Sequence, residues 1–173
     1  NRFTINLGLQ RLFDTPYNPY RTFVDKMTKT GYRLMFWGTD AVGISARYDW
    51  DFSRLKGGFY QLYENNPNQS DDVTLWELTF EEDVTPGYRH GLTAYYVYDR
   101  GNGEGGVSIL GQGLNSSLAN YNGVYRFPLG GNSYRADVFW LGTHGNYNAE
   151  YTEGRFSVNG FVMSNFGKIN TEQ

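Results

Sequence analysis

The chain of 173 residues is predicted to be all-β, an antiparallel transmembrane β-barrel wall of seven crossing strands. Three observations carry this expectation. Apolar and polar residues alternate with period two in separate stretches along the chain, and helical periodicity is nearly absent. Aromatic residues make up 18% of the chain, with 22 Gly and only 5 Pro, a mixture that favours strands and turns. The stretches are joined alternately by long polar segments and short turns.

The first strand covers residues 3–10, with Phe3, Ile5, Leu7 and Leu9 on one face and Thr4, Asn6, Gly8 and Gln10 on the other. Residues 11–40 are read as one long outer excursion, in which the apolar run 32–37 and the turn 38–40 form a local hairpin. Taking 32–37 as a crossing strand would put the two longest loops on opposite sides of a barrel, whereas outer-membrane barrels keep long loops on one side. In residues 41–50, Val42, Ile44, Ala46, Tyr48 and Trp50 alternate with Gly43, Ser45, Arg47 and Asp49. A turn at 51–54 leads into residues 55–64, where Gly57 and Gly58 blur the alternation, and a polar loop containing Pro67 follows at 65–72.

From Thr74, the residues Trp76, Leu78 and Phe80 oppose Glu77, Thr79 and Glu81. The Thr85-Pro86-Gly87 turn reverses the chain. The next strand sets Leu92, Ala94, Tyr96 and Tyr98 against Gly91, Thr93, Tyr95, Val97 and Asp99. Residues 101–131 form a loop far longer than ordinary connections. After it, Tyr134, Ala136, Val138 and Trp140 are assigned to the apolar face, against Ser133, Arg135, Asp137, Phe139 and Leu141. In the last strand Phe156, Val158, Gly160 and Val162 oppose Arg155, Ser157, Asn159 and Phe161. The whole chain, 1–173, is thus one β-barrel segment with long outer loops near 11–40 and 101–131.

Alternation alone does not separate a membrane barrel from a soluble one. The polar faces repeatedly carry mixed charges, while the apolar faces end in Trp or Tyr. In a membrane barrel the apolar side chains meet lipid, the charges meet a water-filled lumen, and terminal aromatics such as Tyr48, Trp50, Trp76, Tyr96, Tyr98 and Trp140 sit at the headgroups. The candidate lumen residues are Arg47, Asp49, Glu77, Glu81, Arg135, Asp137 and Arg155. Guanidinium groups at such positions bind solute carboxylates in a bidentate manner, and neighbouring acids keep each site weak enough to release its cargo. The plainer role for the same residues is a cross-strand ion-pair ladder that supports the wall.

Other chemistry finds little footing. The chain has no Cys, which removes thiol catalysis, Cys-ligated zinc, iron–sulfur clusters and disulfides. A net charge of -3 disfavours nucleic-acid binding. No apolar run approaches the ~18 residues of a membrane helix, but barrel strands do not need one. The glycine-rich stretch 101–106 lacks the Lys-Ser/Thr pair of a phosphate loop. His90 and His144 fall near short turns without an evident third metal ligand. Glu81, Glu82 and Asp83 point to alternate faces of a strand, which does not suit an acid and base pair. Neither an enzyme nor a cofactor is expected, with calcium on the outer loops, for example at Asp71 and Asp72, as the alternative.

The stretch Asn6-Leu7-Gly8-Leu9-Gln10-Arg11-Leu12, followed by an Arg-containing loop, resembles the strand-then-loop element of alginate-export-type outer-membrane barrels. Tyr121-Asn122-Gly123, and the run from Ser133 through Trp140 to Thr143, are similar to a later loop and strand of that group. The resemblance implies a large monomeric barrel with a charged lumen that passes an anionic polysaccharide or another hydrophilic solute. The expectation is therefore a porin-like channel in a bacterial outer membrane, in contact with lipid. Seven strands are too few and of the wrong parity for a bacterial single-chain barrel, so the chain is expected to be an interior piece of a larger one. Two alternatives are a barrel scaffold or anchor plugged by a protein partner, motivated by inward Phe139, Leu141, Tyr95 and Val97, and a soluble carbohydrate-binding β-protein with stacking aromatics.

Overall fold

The computed structural model describes residues 1–12, 39–64, 72–100 and 133–172. The proposed hairpin at 32–37, the glycine run 101–106 and most of the two long loops lie outside the described residues. Seven strands form one antiparallel sheet in chain order: β1 (Arg2–Leu12), β2 (Thr39–Asp49), β3 (Ser53–Tyr63), β4 (Val73–Thr85), β5 (Tyr88–Asp99), β6 (Ser133–Tyr151) and β7 (Gly154–Glu172). Strands β1 and β7 are the two edges of this open sheet. The short connections β2–β3, β4–β5 and β6–β7 all lie on one side, and the longer ones on the other.

Each short turn has a local cause. Pro86 and Gly87 occupy the two positions between the paired residues Thr85 and Tyr88, and Gly87 adopts φ +84°, which an L side chain rarely tolerates. Pro fixes the preceding position, so the pair reads as a type II turn. At β2–β3 the Trp50 N–H donates to the Ser53 carbonyl at 2.7 Å, and the Asp83 N–H donates to Phe52 O at 2.7 Å, tying the turn to β4.

The register aligns like with like. One row runs Leu7, Ile44, Phe59, Trp76, Tyr96, Phe139, Phe166, a residue from each strand in turn, all apolar or aromatic. Phe59 and Trp76 rings lie 4.6 Å apart, Tyr96 and Phe139 stack at 4.3 Å, and Phe139 and Phe166 stack at 5.6 Å. Cross-strand aromatic pairs of this kind each contribute roughly 0.5–1 kcal/mol beyond their area. Two further rows on the same face run Ile5, Ala46, Gly57, Leu78, Ala94, Leu141, Ser164 and Phe3, Tyr48, Leu55, Phe80, Leu92, Thr143, Val162. Most large side chains on this face are exposed.

On β2 to β6 the opposite face is the more buried one. Near the long-loop side it holds an apolar cluster of Ala41, Tyr60, Val73, Leu75, Tyr95, Val97, Ala136, Val138 and Trp140. Nearer the short turns it becomes polar, with Ser45, Thr79, Glu81, Thr93 and His144 buried.

Strand β6 corrects the sequence-based facing. Trp140 is 7% exposed and packs in the buried cluster, whereas Phe139 is 43% and Leu141 57% exposed. Both alternating sets of β6 contain large apolar residues, so alternation does not choose between them. Pairing with β5 does: Val138 lies opposite Val97 and Trp140 opposite Tyr95, on the buried face, while Phe139 lies opposite Tyr96. Strands β6 and β7 are also longer than the alternation shows, 19 residues each, because backbone pairing carries on through the polar run at 145–151.

The sheet is sheared. Asp49, Arg54, Glu81, Gly91 and His144 share one row. From that row the β2–β3 hairpin closes at once, β4 continues four residues to Thr85, and β6 continues seven to Tyr151.

Candidate functional site

The charged part of the buried face is built by β2 to β6. Arg47 and Asp49 are two apart on β2 and therefore share a face; Arg47 Nε donates to Asp49 Oδ2 at 3.2 Å, and its Nη2 lies 3.1 Å from the same oxygen. Arg54 of β3 stands opposite both Asp49 and Glu81, and its Nε lies 4.0 Å from Asp49 Oδ1 and 3.3 Å from Glu81 Oε2. His144 of β6 reaches across β5 to place Nε2 3.3 Å from Glu81 Oε1, with Nδ1 3.5 Å from the Thr93 hydroxyl. That reach depends on Gly91 between them, because a Cβ there would lie 2.2 Å from His144 Nε2. Glu81 is 2% exposed, and a carboxylate so buried needs the partners it has on both oxygens.

A second cluster, centred on Glu77, lies two same-face rows toward the long loops. Lys56 Nζ donates to both oxygens of Glu77, at 2.9 and 2.7 Å, and the Tyr60 hydroxyl donates to Oε2 at 2.9 Å. Lys56 and Tyr60 approach Glu77 from either side of Gly58, which faces it across the β3–β4 ladder. A Cβ at 58 would lie 2.5 Å from the Tyr60 hydroxyl, so this convergence also relies on missing side-chain bulk. Toward the short turns, Arg89 pairs with Asp83 through Nε and Nη2.

Within each of the pairs on β2 to β4 the base is more exposed than its acid. Arg54 is 33% exposed over Glu81 at 2%, and Lys56 35% over Glu77 at 8%. Arg47 is likewise more exposed than Asp49. On β4–β5 the order reverses, with Asp83 at 37% over Arg89 at 26%, so the bases are the more accessible partners only in the β2–β4 part of this face.

Of the residues singled out from the sequence, Arg47, Asp49, Glu77 and Glu81 come together on this face. Arg155 has the same facing but sits apart near the β6–β7 turn, where it donates to Asn148 Oδ1 at 3.3 Å. Arg135 and Asp137 do not join them. They share the exposed face of β6 with Phe139 and Leu141, for the reason that reverses that strand, and Asp137 binds Arg100 instead. Arg54, Lys56, Tyr60 and His144 were not among the sequence candidates. The spacing Arg54, Lys56, Gly58, Tyr60 was the available signal, since all four fall on one strand face.

His90 and His144 lie one row apart on adjacent strands but on opposite faces, with His90 Nε2 2.6 Å from the Thr143 hydroxyl. Among the described residues no group of three or more His, Asp and Glu converges as a metal site. Compared with known proteins, the chain matches no family model, no curated protein and no solved structure.

Proposed function

We propose that the chain forms part of the wall of a transmembrane β-barrel in a bacterial outer membrane, and that its charged face lines a water-filled path for hydrophilic solutes, anionic saccharides favoured. The observation that carries this reading is the inverted partition of the sheet. Large apolar side chains cover the exposed face of all seven strands, while carboxylates and cationic groups occupy the short-turn part of the opposite face. The exposed large apolar residues among those described number 23. At roughly 100 Å² each, half of an aromatic side chain, they amount to about 2,000 Å², several times the largest patch on a typical soluble monomer. At ~25 cal/mol per Å² this is on the order of 50 kcal/mol of hydrophobic free energy that covering the face by lipid would gain.

The shear supports the same reading. The outer apolar run of β3 ends at Leu55, in the row of Val162; on β7 it continues six residues further, to Phe156, across four strand steps. A tilt of ~35–45° requires a drift of about 1–1.5 residues per strand at ~3.3 Å rise and ~4.8 Å spacing. Strands β1 and β7 run in the same direction, so a fully antiparallel barrel closes only with an odd number of further strands between them. The preference for anions rests on the greater exposure of Arg47, Arg54 and Lys56 than of their acids, and the resemblance to alginate-export-type barrels points the same way.

Conductance in a planar bilayer tests the path. The purified full-length protein is expected to conduct with anion preference, and the double variant Arg47→Glu/Lys56→Glu to lose or reverse that preference. No current from folded, inserted protein would sink the channel. A plugged scaffold is the second reading, favoured by the buried cluster of Tyr60, Leu75, Val97 and Trp140. An open aqueous lumen does not need it, and a stoichiometric, salt-resistant partner that co-purifies would identify it.

A further inference from the structure

The exposed face is polarised at its two ends. On the long-loop side, the row next to the aromatic one runs Gln61, Thr74, Tyr98, Asp137, Lys168, and Arg135 with its partner Asn170 lies one step beyond. Arg100 organises this edge. Its Nη2 donates to both Asp137 oxygens at 3.2 and 3.0 Å, its Nη1 donates to the carbonyls of Asp99 and Ala136 at 3.0 and 3.1 Å, and its guanidinium lies 3.7 Å from the Tyr98 ring centroid. The Tyr96 hydroxyl donates to Asp137 Oδ1 at 2.8 Å. Asp137 is thus neutralised in place. Arg135 and Lys168 flank it, both exposed and without an ion-pair partner among the described residues. The short-turn end has the opposite character, with exposed Asp51, Glu82 and Glu153.

We propose that the long-loop edge of β5–β7 binds a phosphorylated, anionic lipid headgroup, with the acyl chains lying along the aromatic stack of Tyr96, Phe139 and Phe166 just below it. The proposal rests on the membrane reading above. Charge complementarity selects the occupant: Arg135 offers a planar fork and Lys168 a point charge to phosphate oxygens. The stacked rings directly beneath match the other half of an amphiphile, which a free anion does not use.

The test is reversible folding of the full chain into vesicles of dioleoylphosphatidylcholine, with and without about one fifth dioleoylphosphatidic acid. The anionic lipid is expected to favour the inserted, folded state. Arg135→Ala/Lys168→Ala is expected to lose roughly thirty-fold of that preference, from ~1 kcal/mol per cation at ~1.4 kcal/mol per decade, whereas Glu82→Gln keeps it. Raising salt tenfold is expected to weaken the preference of the unaltered protein, an arm that needs no variant. Equal preference in the double variant would overturn the site. So would equal stabilisation by inorganic phosphate over pure phosphatidylcholine, which would mark a free-anion site. Failure to insert into any vesicle would overturn the membrane reading and this site with it, whereas insertion without lipid preference would overturn the site alone.

Discussion

Replacing Leu78 by Arg tests the partition of the two faces where it matters most. Leu78 is 54% exposed, between Gly57 of β3 and Ala94 of β5, in the middle of the three apolar rows. An already exposed side chain leaves no packed core behind, so in water the change is expected to cost no more than ~0.5 kcal/mol. At the midplane of a hydrocarbon layer the same guanidinium costs ~2–4 kcal/mol. At ~1.4 kcal/mol per decade this is a loss of roughly 30- to 700-fold in the folding equilibrium. Val84 on the same face of β4, beside the short turn, provides the depth control, because Arg near an interface costs only ~0–1 kcal/mol. Denaturant titration in phosphatidylcholine vesicles measures both variants against the unaltered protein. If Leu78→Arg and Val84→Arg both fall within ~0.5 kcal/mol of it, the exposed face does not meet lipid and the reasoning fails.

Two more perturbations address the charged face. Gly91→Ala places a Cβ against His144 Nε2 and is expected to displace the imidazole from Glu81, at a cost of ~1–3 kcal/mol; in a His144→Ala background it costs little, so a double-mutant cycle in the same titration reads the coupling directly. Glu77→Ala strips Lys56 and Tyr60 of their shared acceptor and is expected to cost ~3 kcal/mol, against ~1 kcal/mol for Tyr60→Phe, with the double variant no worse than Glu77→Ala alone. Additive losses would show that the two donors act independently.

The antiparallel all-β order was legible in the sequence because the polar sets at 3–10 and 41–50 contain no large apolar residue and the middle of β4 sets charges against Trp76, Leu78 and Phe80. Arg47 and Asp49, or Glu77 and Glu81, then pick one face without ambiguity. The order of long and short connections followed from keeping the long loops on one side, which the seven strands satisfy. Strand β6 was not legible, since Val138 and Trp140 compete with Phe139 and Leu141. The charges Arg135 and Asp137 pointed the wrong way because they sit at the strand's end. There an outward charge finds Arg100 rather than the middle of the apolar rows. The extent of β6 and β7 was hidden as well: Gly145-Asn146 and Asn148 read as loop by composition, yet the ladder to β7 runs unbroken through them. The charged row was half visible, because Arg54 was assigned to a turn and the contact of His144 with Glu81 spans 63 positions.

The most direct measurement uses the lack of native Cys. Single cysteines carried through residues 75–82 and 138–141 can be spin-labelled in vesicles, and their accessibility compared between oxygen, which concentrates in lipid, and a water-soluble nickel chelate. Maxima for oxygen are expected at 76, 78, 80, 139 and 141, with labels at 77, 79, 81, 138 and 140 low in oxygen. The opposite phase, or a protein that stays monomeric and folded in buffer with Phe139 shielded, would contradict the account.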